Sequence, residues 1–452
     1  MRSTLADRLV DFALGVRFDS LPAEVITEAK RRLIDTFACA IGALEEPAPG
    51  FARTAARKTS GTPATRLFGG GTGAVDWAAF ANGVHIRYLD CNDTYLSLEP
   101  AHPSDNWAAI MAVGEYAKRD GRAWIEAAAV AYEVQCRLCD AASIRARGWD
   151  HVTYGCLSSC LAACRLLNLS HEQAMHALGI AGTTGTALRL TRAGELSMWK
   201  GCAFAHAARN GVFAALLAAE GMTGPAPLFE GEMGFFQQVS GTFGLDQLGG
   251  PAALDWMLPK TSIKFVPAEY HSQSAIAAAF ALRSRVPKVE EIKDIEIKTF
   301  KVAVEIIAKD PEKWCPKTRE TADHSLPYCT VAALVDGMIT ADQFSESRLN
   351  DPLILDLVSR TKVTESPELT AAYPASVPNV VCITLKDGTK LEETCYHPPG
   401  HDKNPLTEKQ LRAKYDGLVL ARLGADRADE LWDGLSRVAE SAEPQAMIDL
   451  IA

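Results

Sequence analysis

Apolar residues recur along this chain with the period of a helix for more than half its length. In "EVITEAKRRLIDTFACAIGAL", Val25, Ala29, Leu33, Phe37 and Ala40 fall on one face at helical spacing. "VDWAAFANGVHIRYL" does the same with Trp77, Phe80, Ala81, Val84 and Tyr88. "HEQAMHALGIAG" and "AFAHAARNGVFAALLAAEG" continue the pattern, each ending in a glycine suited to a helix C-terminus. Residues 1 to about 260 therefore read almost entirely as helix. Their abundant alanine and glycine predict close helix packing.

Beyond Pro259 the period changes. "EIKDIEIKTFK" alternates Ile292, Ile295 and Ile297 with charge, as a strand with one wet face does. "VPNVVCITLKDGTKLEETCY" predicts a hairpin turning at Asp387-Gly388. "YCTVAALVDG" and "NDPLILDLVSRTKV" between them read as helical or mixed. After "HPPGHDKNP" the pattern is helical again, in "LTEKQLRAKYDGLVLARL" and "ADELWDGLSRVAES". The expected fold class is mainly α. Residues 1–262 and 398–452 read as helical, with a smaller α+β domain over 263–397 between them.

Composition narrows the function. The 452 residues are 48% hydrophobic and 23% charged, and no apolar run reaches the roughly 18–20 residues that span a bilayer. The opening "MRSTLADRLVDFALGV" has neither the apolar core of a signal peptide nor the acid-poor character of a transit peptide, so the expected location is cytoplasmic. A net charge of −10 without a Lys/Arg stripe argues against nucleic acid as a partner, and no membrane partner is expected. It leaves room for a small anion held by a few buried cations.

Twelve cysteines invite a metal reading, above all Cys136-Arg-Leu-Cys139 followed by Cys156, Cys160 and Cys164. These thiols recur every three or four residues in Ala- and Leu-rich segments without turn residues. That is the inner stripe of a helix, where Cys behaves as a small hydrophobe. No metal and no cofactor are expected. "FGGGTGAVDW" fits neither a dinucleotide fingerprint nor a P-loop, and reads as a turn before a helix.

The densest chemistry lies in "RYLDCNDTYLSLEPAHPSDNW", Arg87–Trp107. Arg87, Asp90, Asp93 and Thr94 fall at and just past a helix end, and His102 before Pro103 is driven extended. Ser104 or Asp105 then caps "NWAAIMAVGEYAK", whose free N–H groups would face the same spot as an anion site. The other candidates are Lys200 in an apolar setting, His151 at a helix start, and Lys264, Glu269 and His271 before another helix. Arg319, His324 and Tyr328 follow in "RETADHSLPYC". From the residues alone, a capped loop and a site are equally good readings of the stretch.

"LDCNDTYLSLEPAHPSDNW", "GWDHVTYG", "MWKGCAFAHAARNG", "KFVPAEYHSQSAI" and "DHSLPYCTVAALVDG" together resemble the MmgE/PrpD family, with the D-x-x-D-T…HPSD element its specific mark. The resemblance spans nearly the whole chain and leans to the dehydratase branch that acts on 2-methylcitrate. It implies a large all-helical domain built from both chain ends (1–262 and 398–452), a smaller α+β lid between them, a homodimer, a small tricarboxylate substrate, and neither metal nor iron–sulfur cluster. Carried over by position, it implies Asp90, His102, His151 and Lys200 as catalytic. It implies Thr94, Ser104, Lys264, His271 and Tyr328 as substrate-binding. Some members carry His where this chain has Gln273, which opens a choice between that position and His271. On this reading Asp90 or His102 moves the proton, His151 protonates the departing hydroxyl, and Lys200 with Lys264 clamps carboxylates. The alternatives are a cis-aconitate decarboxylase, an epimerase of a related diacid, and a non-catalytic helical scaffold.

Overall fold

The computed structural model describes residues 4–452. They form two compact units. The first gathers the chain up to Arg192, Met198–Thr261 and Thr407–Ala452; the second comprises Ala193–Ser197 and Ser262–Leu406. The chain returns to the helical unit at Thr407, nine residues later than the boundary at 398.

The first unit is helical, as its apolar period predicts. The face of Val25, Ala29, Leu33, Phe37 and Ala40 lies inside helix Ala23–Gly42, and each of these residues is fully buried. Helix Val75–Tyr88 departs from the one-sided stripe: Asn82, His85 and Arg87 are buried along with its apolar residues, while Trp77 and Phe80 are only partly buried. It runs through the interior, so polar groups on it must find partners inside the protein. Helix Trp107–Tyr116 is likewise buried over nearly its whole circumference.

Small residues let these helices approach. A Cβ on Gly211 of helix Ala203–Ala219 would lie 2.7 Å from the backbone nitrogen of Cys160 and 2.8 Å from the carbonyl oxygen of Cys156. Cys156, Cys160 and Cys164 line helix Val152–Leu167, and Cys136 and Cys139 line Gly121–Ala141; all five thiols are buried in the core. Burial pushes the Cys136 and Cys139 thiols well up, so they stay protonated and pack as small hydrophobes. The glycine of "HEQAMHALGIAG" does not end its helix: His171–Thr184 continues through Gly182 and is capped at Gly185. The Gly69–Gly71 run is the turn of a short hairpin, with all three at positive φ, between strands β1 (Thr65–Arg66) and β2 (Thr72–Gly73) just ahead of Val75. No helix among the described residues is long and apolar enough to cross a membrane.

The second unit carries a four-stranded sheet of β3 (Ile292–Thr299), β4 (Thr361–Glu365), β5 (Asn379–Leu385) and β6 (Lys390–Cys395) in the order β4-β3-β5-β6. β3 runs parallel to β4 and antiparallel to β5. Ile292, Ile295 and Ile297 are buried, though a register shift at Ile292/Asp294 breaks the strict alternation. The β5–β6 hairpin turns at Asp387-Gly388, where Gly388 adopts φ +90° and the Leu385 amide donates to the Thr389 carbonyl at 2.8 Å. Helices Gln273–Arg283 and Leu326–Asp336 pack together, and the first also lies against β5 and β6.

One buried ion pair ties the end of the chain to its beginning. Lys414, on helix Glu408–Leu423, places Nζ 2.5 Å from Asp35 Oδ1 on helix Ala23–Gly42, and donates to the carbonyl oxygen of Cys91 at 2.7 Å. Burial raises the pKa of Asp35 despite the lysine, so the carboxylate depends on its partner. Lys414→Met is expected to cost about 3–5 kcal/mol, the usual penalty for stranding one member of a buried pair. Urea denaturation measures it, and a loss below 1 kcal/mol would show that the pair is not needed.

Candidate active site

Helix Val75–Tyr88 ends just before Asp90, which takes a left-handed φ of 52°. Short polar residues tolerate that conformation better than most, but it is still uncommon. Two cations hold the carboxylate there. Arg87 pairs with Oδ1 from one turn back, and Lys200 Nζ donates to Oδ2 at 2.9 Å from a 3-10 turn, Met198–Gly201. Arg87, Asp90 and Lys200 are each at most 3% exposed. Arg87 Nε also lies 3.6 Å from Asp105 Oδ2, so the charges run Asp105–Arg87–Asp90–Lys200. Burial pushes Asp105 up to about 7, against the pull of Arg87.

The segment after Asp90 is held by its own polar side chains. Asp93 accepts from the Ser104 amide at 2.9 Å and from the Tyr132 hydroxyl at 2.8 Å. Asn92 Nδ2 donates to Ser104 Oγ and to Asp105 Oδ1. Tyr95 and Ala101 exchange backbone hydrogen bonds that close the loop, and Thr94 Oγ1 donates to the Ala101 carbonyl at 3.2 Å. Glu99 accepts from the amides of Ile144 and Arg145 and so caps a different turn. Asn106 receives the hydroxyls of Ser158 and Ser159.

This arrangement corrects the expected helix start. Pro103–Asn106 is a 3-10 turn, the α-helix begins at Trp107, and neither Ser104 nor Asp105 caps it. The Ser104 amide is taken by Asp93 and the Asp105 amide by the His102 carbonyl, so the expected bare N–H cluster is not there. Proline at the first position and a neighbouring Arg87 for Asp105 explain the difference. Asp105 gains more from a buried cation than from a cap.

His102 is extended (φ −125°, ψ 81°), as its place before proline predicts. Its Nδ1 lies 2.8 Å from the carbonyl oxygen of Asp93; that oxygen can only accept, so Nδ1 carries the proton and Nε2 is turned elsewhere. The His151 ring stands edge-on to it, 5.7 Å between centroids. His151 Nδ1 lies 3.0 Å from Asp150 Oδ1, and Arg192 Nε lies 3.0 Å from Asp150 Oδ2. Burial, with the charge of Arg192, lowers His151 to about 4 although Asp150 opposes the shift. At neutral pH the imidazole is uncharged, donates an Nδ1–H hydrogen bond to Asp150, and keeps a lone pair on Nε2. That Nε2 is buried and meets no hydrogen-bond partner among the described residues.

The helical unit thus brings together Asp90, His102, His151, Lys200, Thr94 and Ser104. Thr94 and Ser104 serve in the loop framework. Two participants escape the sequence reading, Asp150 and Arg192, while Arg87 was read there only as a member of the polar cluster, without a role. Asp150 had a visible signal, being adjacent to His151; Arg192 had none, since only folding selects it from the chain's other basic residues.

Lys264, His271 and Tyr328 belong to the second unit. Lys264 is buried there, and its charge reaches Glu269. His271 Nδ1 lies 2.6 Å from Glu269 Oε1, and its Nε2 is 3.4 Å from the Tyr373 hydroxyl. Burial favours a raised Glu269, yet His271, with His324 and Lys264, brings it down to about 2. Gln273 spends its amide on the backbone of Phe265, Val266 and Ala268, which makes it the brace of this loop and leaves His271 as the titratable member. Tyr328 is a correction: its hydroxyl donates to the Gln343 carbonyl at 2.6 Å within a fully buried setting, so it is engaged in its own unit's core.

Imidazoles beside carboxylate-clamped cations, on a rigid helical scaffold, describe acid/base chemistry on an anion. The comparisons agree with that class. The MmgE/PrpD N-terminal domain matches residues 7–248 and the MmgE/PrpD C-terminal domain residues 266–435. The chain belongs to the MmgE/PrpD family. It is 30% identical over 429 residues to the 2-methylcitrate dehydratase of Cupriavidus necator, covering 87% of this chain and 85% of the relative. The 2-methylcitrate dehydratase of Escherichia coli K12 is 29% identical over 424 residues, with the same shares. An alkylcitrate dehydratase from a fungal strain, ATCC 74256, is 31% identical over 368 residues, 75% of this chain and 72% of the relative.

The electrostatics make a direct prediction. The folded pKa of His151 lies below the usual 6.5, and buried His85 is lowered to about 4 in the same way. Between pH 6.5 and 4 the unfolded chain takes up protons that these folded imidazoles refuse. Their contribution to stability is present above pH 6.5 and is lost as pH falls through that window. A nitrogen-15 spectrum at pH 6 should show His151 as the neutral Nδ1–H tautomer; an imidazolium signal at that pH rejects the assignment.

Proposed function

We propose that this enzyme, a lyase like its named relatives, dehydrates an alkylcitrate such as 2-methylcitrate to the corresponding cis-aconitate with its own side chains. The observation that carries the reading is the neutral His151, anchored by Asp150 with a bare Nε2, beside His102 and the Arg87–Asp90–Lys200 clamp. Removing water from such a substrate requires a base for a proton α to a carboxylate and an acid for the β-hydroxyl. It also requires positive charge where the enolate-like transition state builds up negative charge.

The roles differ from those the sequence suggested. Asp90 already gives both oxygens to cations, which suits it to holding charge in place. His151 is uncharged, which suits it to accepting a proton. In the proposed step His151 Nε2 takes the proton α to a carboxylate, and that bonding pair becomes the new C=C bond. The C–O bond breaks, and the hydroxyl leaves as water with the Nε2 proton of a doubly protonated His102, whose Nδ1–H stays on the Asp93 carbonyl. Proton exchange with solvent then resets both rings. Asp150 stabilises the imidazolium that forms, and Lys200 supplies the positive field.

The test is a panel of 2-methylcitrate, citrate and cis-aconitate, followed by alkene absorbance and CO₂ release with a chelator present throughout. Dehydration of the first substrate is expected. CO₂ release from cis-aconitate would support the decarboxylase reading, and activity that needs added iron would replace this mechanism with a metal-based one. His102→Ala and Lys200→Ala should each lower turnover by roughly 10²-fold or more; near-normal rates in both would move the reaction elsewhere.

A homodimer belongs to the same reading, supported by the half-exposed Trp199 and Phe213 on the helical unit. Light scattering should then give twice the chain mass of 48.7 kDa; a monomer at micromolar concentration argues against it.

A further inference from the structure

Arg192 closes the turn Arg189–Arg192 and has a side chain only 14% exposed. It approaches Asp150 through Nε, 3.2 Å from Oδ1 and 3.0 Å from Oδ2. Its Nη2 is buried and has no hydrogen-bond partner among the described residues. His151 stands on the same carboxylate, Nδ1 to Oδ1 at 3.0 Å, and it too has a buried nitrogen without a partner, Nε2. One carboxylate thus mounts an imidazole lone pair and a guanidinium N–H side by side, each with an unmet polar atom in the interior. Buried donors and acceptors are almost always paired, and such a doublet calls for a ligand that is acidic at one atom and anionic at the next.

Resting on the proposed dehydration, we infer that Arg192 binds the substrate carboxylate attached to the carbon that His151 deprotonates. A base must reach the C–H bond, while negative charge flows from that carbon into its own carboxylate. An arginine N–H held next to the base, on the same mount, meets that charge as it develops. Asp150 has two functions here: it fixes the tautomer of His151, and it sets the distance between base and cation. Arg192 touches substrate on this account and is therefore a catalytic residue. The arrangement also favours substrates with a carboxylate on the reacting carbon over analogues with an uncharged group there.

The experiment uses the full chain with Arg192→Gln and Arg192→Lys. The wild type is first titrated calorimetrically with tricarballylate, which has the three carboxylates and no hydroxyl to lose, and then assayed with 2-methylcitrate. Arg192→Gln should lose roughly 10²-fold in kcat/KM, with Arg192→Lys, which keeps the charge beside Asp150, between it and wild type. The deciding comparison is an analogue whose carboxylate on the reacting carbon is a primary amide. A carboxylate contact makes the Gln variant's loss on the amide several-fold smaller than on the acid, whereas a purely structural arginine gives equal losses. Equal losses, or no loss, overturn the inference and leave the dehydration reading standing. A wild type that neither binds tricarballylate nor dehydrates 2-methylcitrate overturns both. Should Arg192→Gln unfold, the same acid-to-amide comparison on Arg192→Lys carries the test.

Discussion

The site depends on one buried carboxylate placed between two cations. Asp90 sits in a left-handed backbone conformation at a helix end, with Arg87 on one oxygen and Lys200 on the other. Removing one member would strand a buried charge on the others, which costs several kcal/mol even after relaxation. The three join a helix end to a turn 110 residues further on. The loop that follows leaves Asp90 in a fixed direction and is braced by Asp93, Asn92 and the Lys414 contact to the Cys91 carbonyl. The helix that supplies Arg87 is closely packed: a Cβ on its Gly83 would lie 2.8 Å from the Cβ of Ala205.

Much of the fold is written in local periodicity. A stripe such as Val25–Ala40 has one arrangement that buries it, and the Asp387-Gly388 turn has one hairpin geometry that suits it, so both are readable without tertiary information. Legibility failed where tertiary contact overrides local preference. Ser104 and Asp105 have the chemistry of helix caps, yet a buried arginine, and an aspartate and an asparagine from a neighbouring loop, compete for them and win. Trp77 and Phe80 look like the inner face of their helix, but the helix crosses the interior and its polar side is buried as well.

The site was legible in its residue types and not in its pairings. His102, His151, Lys200 and Asp90 stand out because each is a costly residue in an apolar neighbourhood. What each can do depends on partners distant in sequence. His151 looks like an acid when written beside other polar residues. Burial and the charge of Arg192 make it a neutral imidazole, which in the proposed step suits it to accepting a proton. Tyr328 illustrates the opposite error: a hydroxyl near candidate residues in the sequence is taken up by the Gln343 carbonyl.

The same pairings explain how an acidic protein can receive an anion. The chain carries a net charge of −10, but Arg87, Lys200 and Arg192 gather in the helical unit around Asp90 and Asp150, with Asp105 near 7 and His151 uncharged. Burial holds His151 down at about 4, and the charge of Arg192 adds to it. A substrate bearing several carboxylates would cancel that charge, and the imidazole would become more basic when the anion arrives. An empty site would thus keep its base weak, and a filled one would strengthen it where the proton must be taken. The charge of the substrate then does more than supply binding energy: it completes the electrostatics that the buried cations leave unbalanced.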